Sequence, residues 1–413
     1  MTNLQARIEE HIDAISKFTA TPGQGTTRLT YSKQDKQARK YIKEKMAEYG
    51  LEVSEDGFGN IFGKLEGTIK DAPSILIGSH FDSVPNGGSY DGPAGVVAGL
   101  EVAALFNENN LKPKYPLEVI ALIEEEGSRF GGGLMGSRGM TGLLREEDFK
   151  NLTDYNGITT IEAMREIGLN PSLPKKRDPE TIKGYLELHI EQGPILENKK
   201  IPIGVVETIV GLTQFEITVE GQAGHAGTTP MDHRSDALVT AAQMIAQIPS
   251  LAVEEGEGTV ATTGKLNVFP NGSNVIPSKT VFTVDIRSGK EEHIQHVIDK
   301  LHEMANSYNR DGIKITISQQ LYMEPKAMNP DIISLLKETS SSFDIPYCSM
   351  NSGAGHDAMV LAEVTDVGML FIPSKDGVSH TPEEWSDSLD IAKAVEILFA
   401  AAKKLTEVEE IDK

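Results

Sequence analysis

The segment SILIGSHFDSVPNGGSYDGPAGVVAGLEVAALF (residues 74–106) decides the fold class. Its first seven residues form a short apolar run, which is typical of a buried strand, and residues 92–106 form a largely apolar helix pattern. The loop between them carries His80, Asp82 and Asp91. Because open α/β sheets place their sites beyond the carboxyl ends of the strands, we expect a functional site at this loop.

Outward from this segment, the chain alternates strand and helix patterns. Residues 116–127, 184–193 and 366–373 are predicted strands, which indicates an α/β domain with a mostly parallel sheet and helices on both faces. Between them, residues 213–321 follow the order strand–helix–strand–strand–helix–strand, which is ferredoxin-like. The predicted elements are strand 213–221, helix 231–248, strands 259–269 and 279–288, helix 291–309 and strand 313–321. We therefore predict a discontinuous domain of residues 1–210 and 325–413, interrupted by an α+β domain of residues 211–324.

Composition limits the partners of the 413-residue chain. Its formal net charge of −22 repels nucleic-acid phosphates and anionic membranes. A single cysteine, Cys348, excludes an intrachain disulfide and fits a reducing compartment. The first residues lack an apolar signal core, and no run approaches the roughly 20 apolar residues of a membrane span. We predict a cytoplasmic protein with neither nucleic acid nor membrane as a partner.

Three further segments carry candidate metal ligands. EEEG (124–127) crowds three carboxylates at a strand end, where like charges repel unless a cation lies among them. His189 lies in a predicted strand and His380 in a loop, GVSHTPEEW (377–385). Asp91 and the two histidines each have a plainer interpretation, since Asp91 can cap a helix and both histidines can be structural. Together, three imidazoles and at least two carboxylates suit two divalent ions that share one aspartate.

Several strings resemble one known family, in order along almost the whole chain. They resemble the amidase/hydantoinase/carbamoylase branch of the dinuclear metallopeptidase superfamily: GSHFDSVPNGGSYDGPAGVVAGLE, EEEGSRF, ELHIEQGP, GQAGHAGTTPMDHRSDA, NVIPSKTVFTVDIR, SGAGHDA and GVSHTPEEW. The resemblance implies a catalytic domain with an inserted lid domain that forms a homodimer. It also implies two divalent ions per subunit, of zinc, manganese or cobalt.

By resemblance, His80, Asp91 and His189 hold one metal, while Asp91, Glu126 and His380 hold the other. Asp91 is then the bridging ligand. Glu125 is implied to be the general base, and because neighbouring strand residues point apart, a loop or bulge must direct Glu125 and Glu126 to the same side. Asp82 is expected to assist catalysis by orienting His80. Many peptidase relatives have an acidic residue at the position of His189, so this histidine argues against a general dipeptidase.

The resemblance also implies a set of substrate-binding residues: Gln192, His225, Asn274, Arg287 and Gly355. His225 is expected to polarise the scissile group and stabilise the oxyanion. Arg287 is expected to bind the substrate's carboxylate, since arginine pairs with carboxylates bidentately. The alternatives are a turn histidine at 225 and a surface ion pair at 287.

The activity implied is hydrolysis of a ureido C–N bond in a small carboxylate compound. EEEGSRF and SGAGHDA favour allantoate as the substrate, whereas SHFDSVPNGG and GVSHTPEEWS equally resemble enzymes for N-carbamoyl-L-amino acids. An aminoacylase or dipeptidase activity and a non-catalytic binding protein are the other hypotheses. A non-catalytic homologue predicts a missing ligand or base, and all five ligands and Glu125 are present.

Overall fold

The structure is a computed structural model that describes residues 2–173 and 176–408. The chain forms two compact units. The first unit comprises Met1–Glu207, Met328–Met350 and His356–Lys413, and the second comprises Thr208–Ala327 and Asn351–Gly355.

One segment belongs to a different unit from the one we predicted. Asn351–Gly355 groups with the second unit, although we assigned these residues to the discontinuous first domain. The reason is hydrogen bonding, because Val210 N donates to the carbonyl of Ser352 (2.9 Å) and Arg287 Nη1 donates to that of Gly353 (2.9 Å). Gly355 is therefore a residue of the second unit.

The strands, in chain order, are β1 (Glu52–Glu55), β2 (Ile61–Leu65), β3 (Ser74–His80), β4 (Leu117–Leu122), β5 (Ile182–Ile190), β6 (Ile203–Ile209), β7 (Gly211–Glu220), β8 (Gly224–His225), β9 (Val260–Thr262), β10 (Leu266–Phe269), β11 (Val275–Ile276), β12 (Lys279–Ser288), β13 (Lys314–Met323), β14 (Lys326–Ala327), β15 (Tyr347–Ser352) and β16 (Val367–Ile372). The helices are α1 (Thr2–Ser16), α2 (Lys33–Glu48), α3 (Pro93–Glu108), α4 (Met135–Thr141), α5 (Glu146–Asn151), α6 (Thr160–Ile167), α7 (Ile195–Lys199), α8 (Ala237–Glu255), α9 (Glu291–Tyr308), α10 (Pro330–Ser342), α11 (Asp357–Leu361) and α12 (Ser388–Leu405).

The sheet of the first unit is parallel at its centre and antiparallel towards both sides. Its order is β1-β2-β4-β3-β5-β16-β6, and the four central strands β4, β3, β5 and β16 run parallel. Every residue of β3, β4 and β16 is buried, as expected for parallel strands that are covered on both faces. The predicted fold class is confirmed, and the carboxyl ends of four neighbouring strands meet at one edge of this sheet.

The second unit is an antiparallel sheet with two helices. Its strand order is β10-β12-β7-β13, with β9 also paired to β12, and the chain runs β7-α8-β9-β10-β12-α9-β13. Buried side chains of both helices, such as Met244 and Leu301, share a core with Ile217 and Phe282 of the sheet. The sequence predicts one strand over residues 259–269, but β9 and β10 are separate strands with Gly264 in the gap, and glycine weakens a strand interior.

Helix α8 is, within residues 2–173 and 176–408, the one helix that is long and apolar enough to cross a membrane by length and composition. Asp236 caps its first turn, accepting hydrogen bonds from Leu238 N and Val239 N. One face of α8 is buried against β7 and β12 of its own unit. Its apolar residues therefore include those that form this core.

Candidate metal centre

The five predicted metal ligands lie together at the carboxyl edge of the first unit's sheet. His80 is the last residue of β3, and His189 is the last but one of β5. Asp91 precedes α3, Glu126 follows β4, and His380 lies in the loop after β16. Because β4, β3, β5 and β16 are adjacent and parallel, their carboxyl ends bring these residues to one place.

Asp91 presents one carboxylate oxygen to each of two ligand groups. Its Oδ1 lies 3.4 Å from His80 Nε2 and 3.2 Å from His189 Nε2, and these two nitrogens are 3.5 Å apart. Its Oδ2 lies 3.3 Å from His380 Nε2, which is 3.4 Å from Glu126 Oε2. A single carboxylate is thus shared between a His–His group and a His–Glu group.

These distances fit the ligand shells of two small divalent ions. A tetrahedral ion with ligands at about 2.0–2.1 Å separates neighbouring ligand atoms by about 3.3 Å. The separations within each group are close to that value. Among the described residues, the buried Glu126 Oε1 has no hydrogen-bond partner, as expected for an oxygen that faces a cation. The donor set, imidazole nitrogen and carboxylate oxygen, suits zinc or manganese.

The charges of the cluster are strongly coupled. Burial alone raises the pKa of a carboxyl, but the positive charge of His189 and hydrogen bonds with three imidazoles hold the pKa of Asp91 well below its usual value. The hydrogen bond to Asp91 raises the pKa of His380 to about 9, against an opposing effect of burial. Asp91 is therefore ionised, as a bridging ligand must be.

The loop after β4 directs two neighbouring glutamates to the same site. Glu124 adopts a left-handed conformation (φ 50°), so the chain leaves strand geometry as expected. The Glu124 carboxylate accepts hydrogen bonds from Arg129 N (2.8 Å) and Phe130 N (2.6 Å), which closes the loop. Glu125 and Glu126 both reach the ligand cluster, because each lies in a group with His80 whose ligand atoms are all within 4.8 Å.

Glu125 has the properties of a proton acceptor and donor. Its Oε2 lies 3.8 Å from His80 Nε2. Burial raises the pKa of Glu125 well above its usual value, and the neighbouring carboxylates Asp357 and Glu126 add to the effect of burial. Carboxyl groups with raised pKa values beside a ligand cluster are suited to general acid–base catalysis. The same proximity allows Glu125 to act as a ligand.

Asp82 lies on the other side of the His80 ring from the ligand atoms. Its Oδ1 is 3.4 Å from His80 Nδ1. The same carboxylate accepts hydrogen bonds from Glu125 N (3.1 Å) and Glu126 N (3.3 Å). Asp82 therefore orients one ligand and the backbone of the loop that carries Glu125 and Glu126, which is a positioning contact.

Gln192 reaches the bridging carboxylate itself. It adopts a left-handed conformation (φ 58°), and its Nε2 donates to Asp91 Oδ2 at 2.6 Å. The same nitrogen lies 3.4 Å from His380 Nε2. The predicted substrate residue Gln192 is thus close to the ligands, and its role as a substrate contact stays a prediction.

The other predicted substrate residues belong to the second unit. His225 pairs with Val275 across β8 and β11, and Ala226 N donates to the Asn274 carbonyl, so His225 and Asn274 are neighbours. Gly227 N donates to His225 Nδ1 (3.0 Å), which leaves the ring proton of neutral His225 on Nε2. Arg287 forms the ion pair considered as its alternative role, with Asp285 Oδ1 at 2.9 Å from Nε.

Two buried carboxylates near the ligands, Glu187 and Glu384, were not predicted as site residues from the sequence. Glu187 is fully buried and accepts hydrogen bonds from Ser79 Oγ (2.7 Å) and Ala358 N (2.9 Å). Glu384 is 5% exposed and bonds to the segment that carries Asp91. Glu187 faces the same side of its strand as His189, and this spacing is a signal that could have identified it. Glu384 follows His380 by four residues in a loop, where spacing alone does not predict direction.

Comparison with known proteins agrees with this geometry. The profile of peptidase family M20/M25/M40 matches residues 76–404. The chain belongs to this family. One relative, an N-carbamoyl-L-amino-acid amidohydrolase from Paenarthrobacter aurescens, is 42% identical to this chain, over 97% of each protein. An allantoate amidohydrolase from Escherichia coli (strain K12) is 37% identical, over 96% of this chain and 97% of the relative.

A solved structure extends the similarity to the whole fold. The amidase of the hydantoinase/carbamoylase family from Burkholderia multivorans superimposes on this M20/M25/M40 family member with a TM-score of 0.91 and 34% identity, over 97% of this chain and 98% of that one. The resemblance to the amidase/hydantoinase/carbamoylase branch is confirmed. The chain is a hydrolase of carbon–nitrogen bonds, as predicted.

Proposed function

We propose that this family member hydrolyses the ureido C–N bond of a small carboxylate compound, with two divalent ions bound at the candidate metal centre. The observation that carries the proposal is the shared carboxylate of Asp91, whose two oxygens face a His80–His189 group and a His380–Glu126 group. Relatives along nearly the whole chain are named as enzymes for N-carbamoyl-L-amino acids or allantoate, and both compounds contain a ureido group and a carboxylate.

Five residues of the first unit hold the ions in this proposal, as the resemblance implies. When bound, the divalent ions supply Lewis-acid polarisation of the scissile carbonyl and acidify water. Zinc and manganese are the proposed metals, and cobalt fits the same donors.

Glu125 performs the proton transfers in this proposal. Its carboxylate accepts a proton from the attacking water and delivers it to the leaving nitrogen as the C–N bond breaks. Hydrolysis of an N-carbamoyl amino acid in this way consumes water and yields the amino acid, ammonia and carbon dioxide. Asp82 keeps His80 and the loop of Glu125 in place through the three contacts described above.

The second unit supplies the proposed substrate contacts. The Nε2–H of His225 donates to the scissile carbonyl, and the guanidinium of Arg287 binds the substrate's carboxylate. Asn274 and Gly355 are further proposed contacts, and Gln192 of the first unit is another. Asp285 holds the Arg287 guanidinium and itself accepts a hydrogen bond from Gln214 Nε2 (2.9 Å), which fixes the arginine in advance.

We propose N-carbamoyl-L-amino acids as the first substrate class and allantoate as the second. The identities to relatives named for these compounds, 42% and 37%, support this order. The strings EEEGSRF and SGAGHDA, which favour allantoate, support the second. Both candidates are tested in one assay because both release ammonia.

We further propose a cytoplasmic location, because the single cysteine fits a reducing compartment.

We also propose a homodimer through the second unit. Apolar side chains on this unit are exposed, among them Val253 of α8 (79%) and Leu266 and Phe269 of β10. β10 is also a sheet edge, and sheet edges pair readily with another chain. Light scattering should give a dimer mass, and Phe269→Lys should lower it; a monomeric wild type would exclude the proposal.

Ammonia release by the purified, manganese-supplemented protein tests the activity. The substrates are an N-carbamoyl-L-amino acid, allantoate and an N-acetyl-L-amino acid, the last followed by release of free amino acid. The exposed Glu147→Gln is the matched control for Glu125→Gln. Preference for allantoate would reverse the order of the two candidates, and cleavage of the acetyl compound alone would exclude a ureido hydrolase.

A further inference from the structure

The segment that carries Asp91 and the loop that carries His380 are joined by one buried carboxylate. Glu384 Oε1 accepts hydrogen bonds from Tyr90 N (2.9 Å) and Asp91 N (3.0 Å). Its Oε2 accepts a hydrogen bond from Ser379 Oγ (2.8 Å). The two residues that Glu384 joins, Asp91 through its backbone N–H and Ser379 through its hydroxyl, are 288 residues apart in the sequence.

The same serine also contacts the bridging ligand. Ser379 Oγ lies 2.9 Å from Asp91 Oδ2, the oxygen that faces His380. The next residue, His380, adopts a left-handed conformation (φ 59°), which is uncommon for a non-glycine residue and needs support from its surroundings. Glu384 therefore holds the main chain at Asp91 and the side chain of the residue before His380.

The segment before Asp91 leaves room for this carboxylate. A Cβ atom built at Gly88 lies 2.0 Å from Glu384 Oε1, so any side chain at residue 88 displaces the carboxylate. The φ of Gly88 is not in the left-handed region, so alanine is compatible with its backbone. Gly88→Ala is thus a way to move Glu384 without changing its chemistry.

We propose that Glu384 is a positioning residue that sets the Asp91–His380 half of the metal centre. The inference rests on the proposed function, because it takes Asp91 and His380 to be metal ligands. Removal of a residue that orients metal ligands typically weakens metal affinity by about 10- to 100-fold. Because the proposed substrate anchor Arg287 belongs to the other unit, loss of Glu384 should lower kcat and metal affinity more than it changes KM.

The orienting role depends on hydrogen bonds, and the amide of Glu384→Gln can form them. Its oxygen can accept from Tyr90 N and Asp91 N, while its NH₂ group donates to Ser379 Oγ, which then donates to Asp91 Oδ2. Glu384→Gln should therefore retain most of the metal affinity that Glu384→Ala loses. An equal loss in both variants would overturn the inference, since the charge of Glu384 would then matter rather than its contacts.

The experiment is a Zn²⁺ competition titration of the chelator-stripped, full-length protein against a chromophoric chelator. Gly88→Ala is compared with Gly264→Ala, whose Cβ meets no described atom within 4 Å. Asp56→Ala controls for a structural role, because Asp56 Oδ1 accepts hydrogen bonds from three backbone N–H groups of a loop without ligands. Urea unfolding of each metal-free variant, and kcat and KM on the substrate that the wild type cleaves, complete the set.

We expect Zn²⁺ affinity to fall about 10- to 100-fold in Glu384→Ala and Gly88→Ala, and to stay at the wild-type value in Gly264→Ala and Asp56→Ala. Wild-type affinity and kcat in Glu384→Ala, with lower stability only, would overturn the positioning role while leaving the proposed function intact. A wild type that binds no Zn²⁺ would overturn both. If Glu384→Ala fails to fold, the Zn²⁺ affinity and kcat of Gly88→Ala and Glu384→Gln test the positioning role instead: a loss in Gly88→Ala with retention in Glu384→Gln supports it, and any other result overturns it.

Discussion

Replacing Glu125 with glutamine separates the two roles that the structure allows this residue. The carboxylate lies 3.8 Å from His80 Nε2, close enough for proton transfer at the ligand cluster and close enough to be a ligand itself. Glutamine keeps the size and one oxygen but cannot take a proton. A general base typically contributes about 10²- to 10⁴-fold in rate, which corresponds to about 2.7–5.4 kcal/mol at 1.36 kcal/mol per tenfold.

We expect Glu125→Gln to lower kcat by this factor, with little change in KM and with two equivalents of metal retained. The reason is that each oxygen of Asp91 already has imidazole partners, and the His380 side has Glu126 as well. Glu126→Gln is the contrasting variant, since it should lose metal as well as activity. The assay is steady-state ammonia release together with metal analysis by atomic emission.

Two results would refute this reasoning. A kcat within threefold of the wild type would show that Glu125 is not the general base. Loss of one metal equivalent in Glu125→Gln, with Glu126→Gln unaffected, would exchange the roles of the two glutamates.

Metal removal, the ion pair of Arg287 and the core of the second unit each give one further prediction. Removal of the metal by a chelator should lower the free energy of unfolding by about 2.7 kcal/mol per site. The reference is protein in free metal at about a hundred times Kd, and urea unfolding with and without metal measures the difference. Arg287→Lys should raise KM by about tenfold or more through loss of bidentate binding, and Asp285→Asn by less, both with unchanged metal content. Phe282→Ala should lower the free energy of unfolding by about 3–5 kcal/mol, because Phe282 is fully buried in the core of the second unit. A variant that unfolds at the same urea concentration as the wild type would contradict that packing.

The fold could be predicted where hydrophobic periodicity is unambiguous. β12 was predicted over residues 279–288, where buried and partly exposed residues alternate, and the structure has it as Lys279–Ser288. The break between β9 and β10 was not predicted, because a single glycine weakens a strand but does not show from sequence alone whether the strand is interrupted. The grouping of Asn351–Gly355 was not predictable either, since it depends on backbone hydrogen bonds to distant residues.

The candidate ligands at the ends of strands could be predicted from the sequence, whereas the loop residue Glu384, which contacts the segments of two ligands, could not. His80 and His189 end parallel strands, so their proximity follows from sheet geometry. Glu384 belongs to a loop, and its contacts with Tyr90 and Asp91 depend on tertiary packing that no local spacing encodes. Motif resemblance indicated the candidate ligands, which lie together in the structure, but it did not indicate the carboxylate that joins the segments of Asp91 and His380.

The candidate ligands and the proposed substrate contacts belong to different units, which leads to a further expectation about their variants. All five candidate ligands and Glu125 belong to the first unit, where four parallel strands end, while His225 and Arg287 belong to the second. On the proposed function, we expect metal affinity to depend on one sheet and its loops, and most of the proposed substrate contacts belong to the other unit. Variants of the first group should change metal content and kcat together, whereas variants of the second should change KM at constant metal content. If a variant of His225 or Arg287 lost metal, the metal ligands would include residues outside the central parallel strands and their loops.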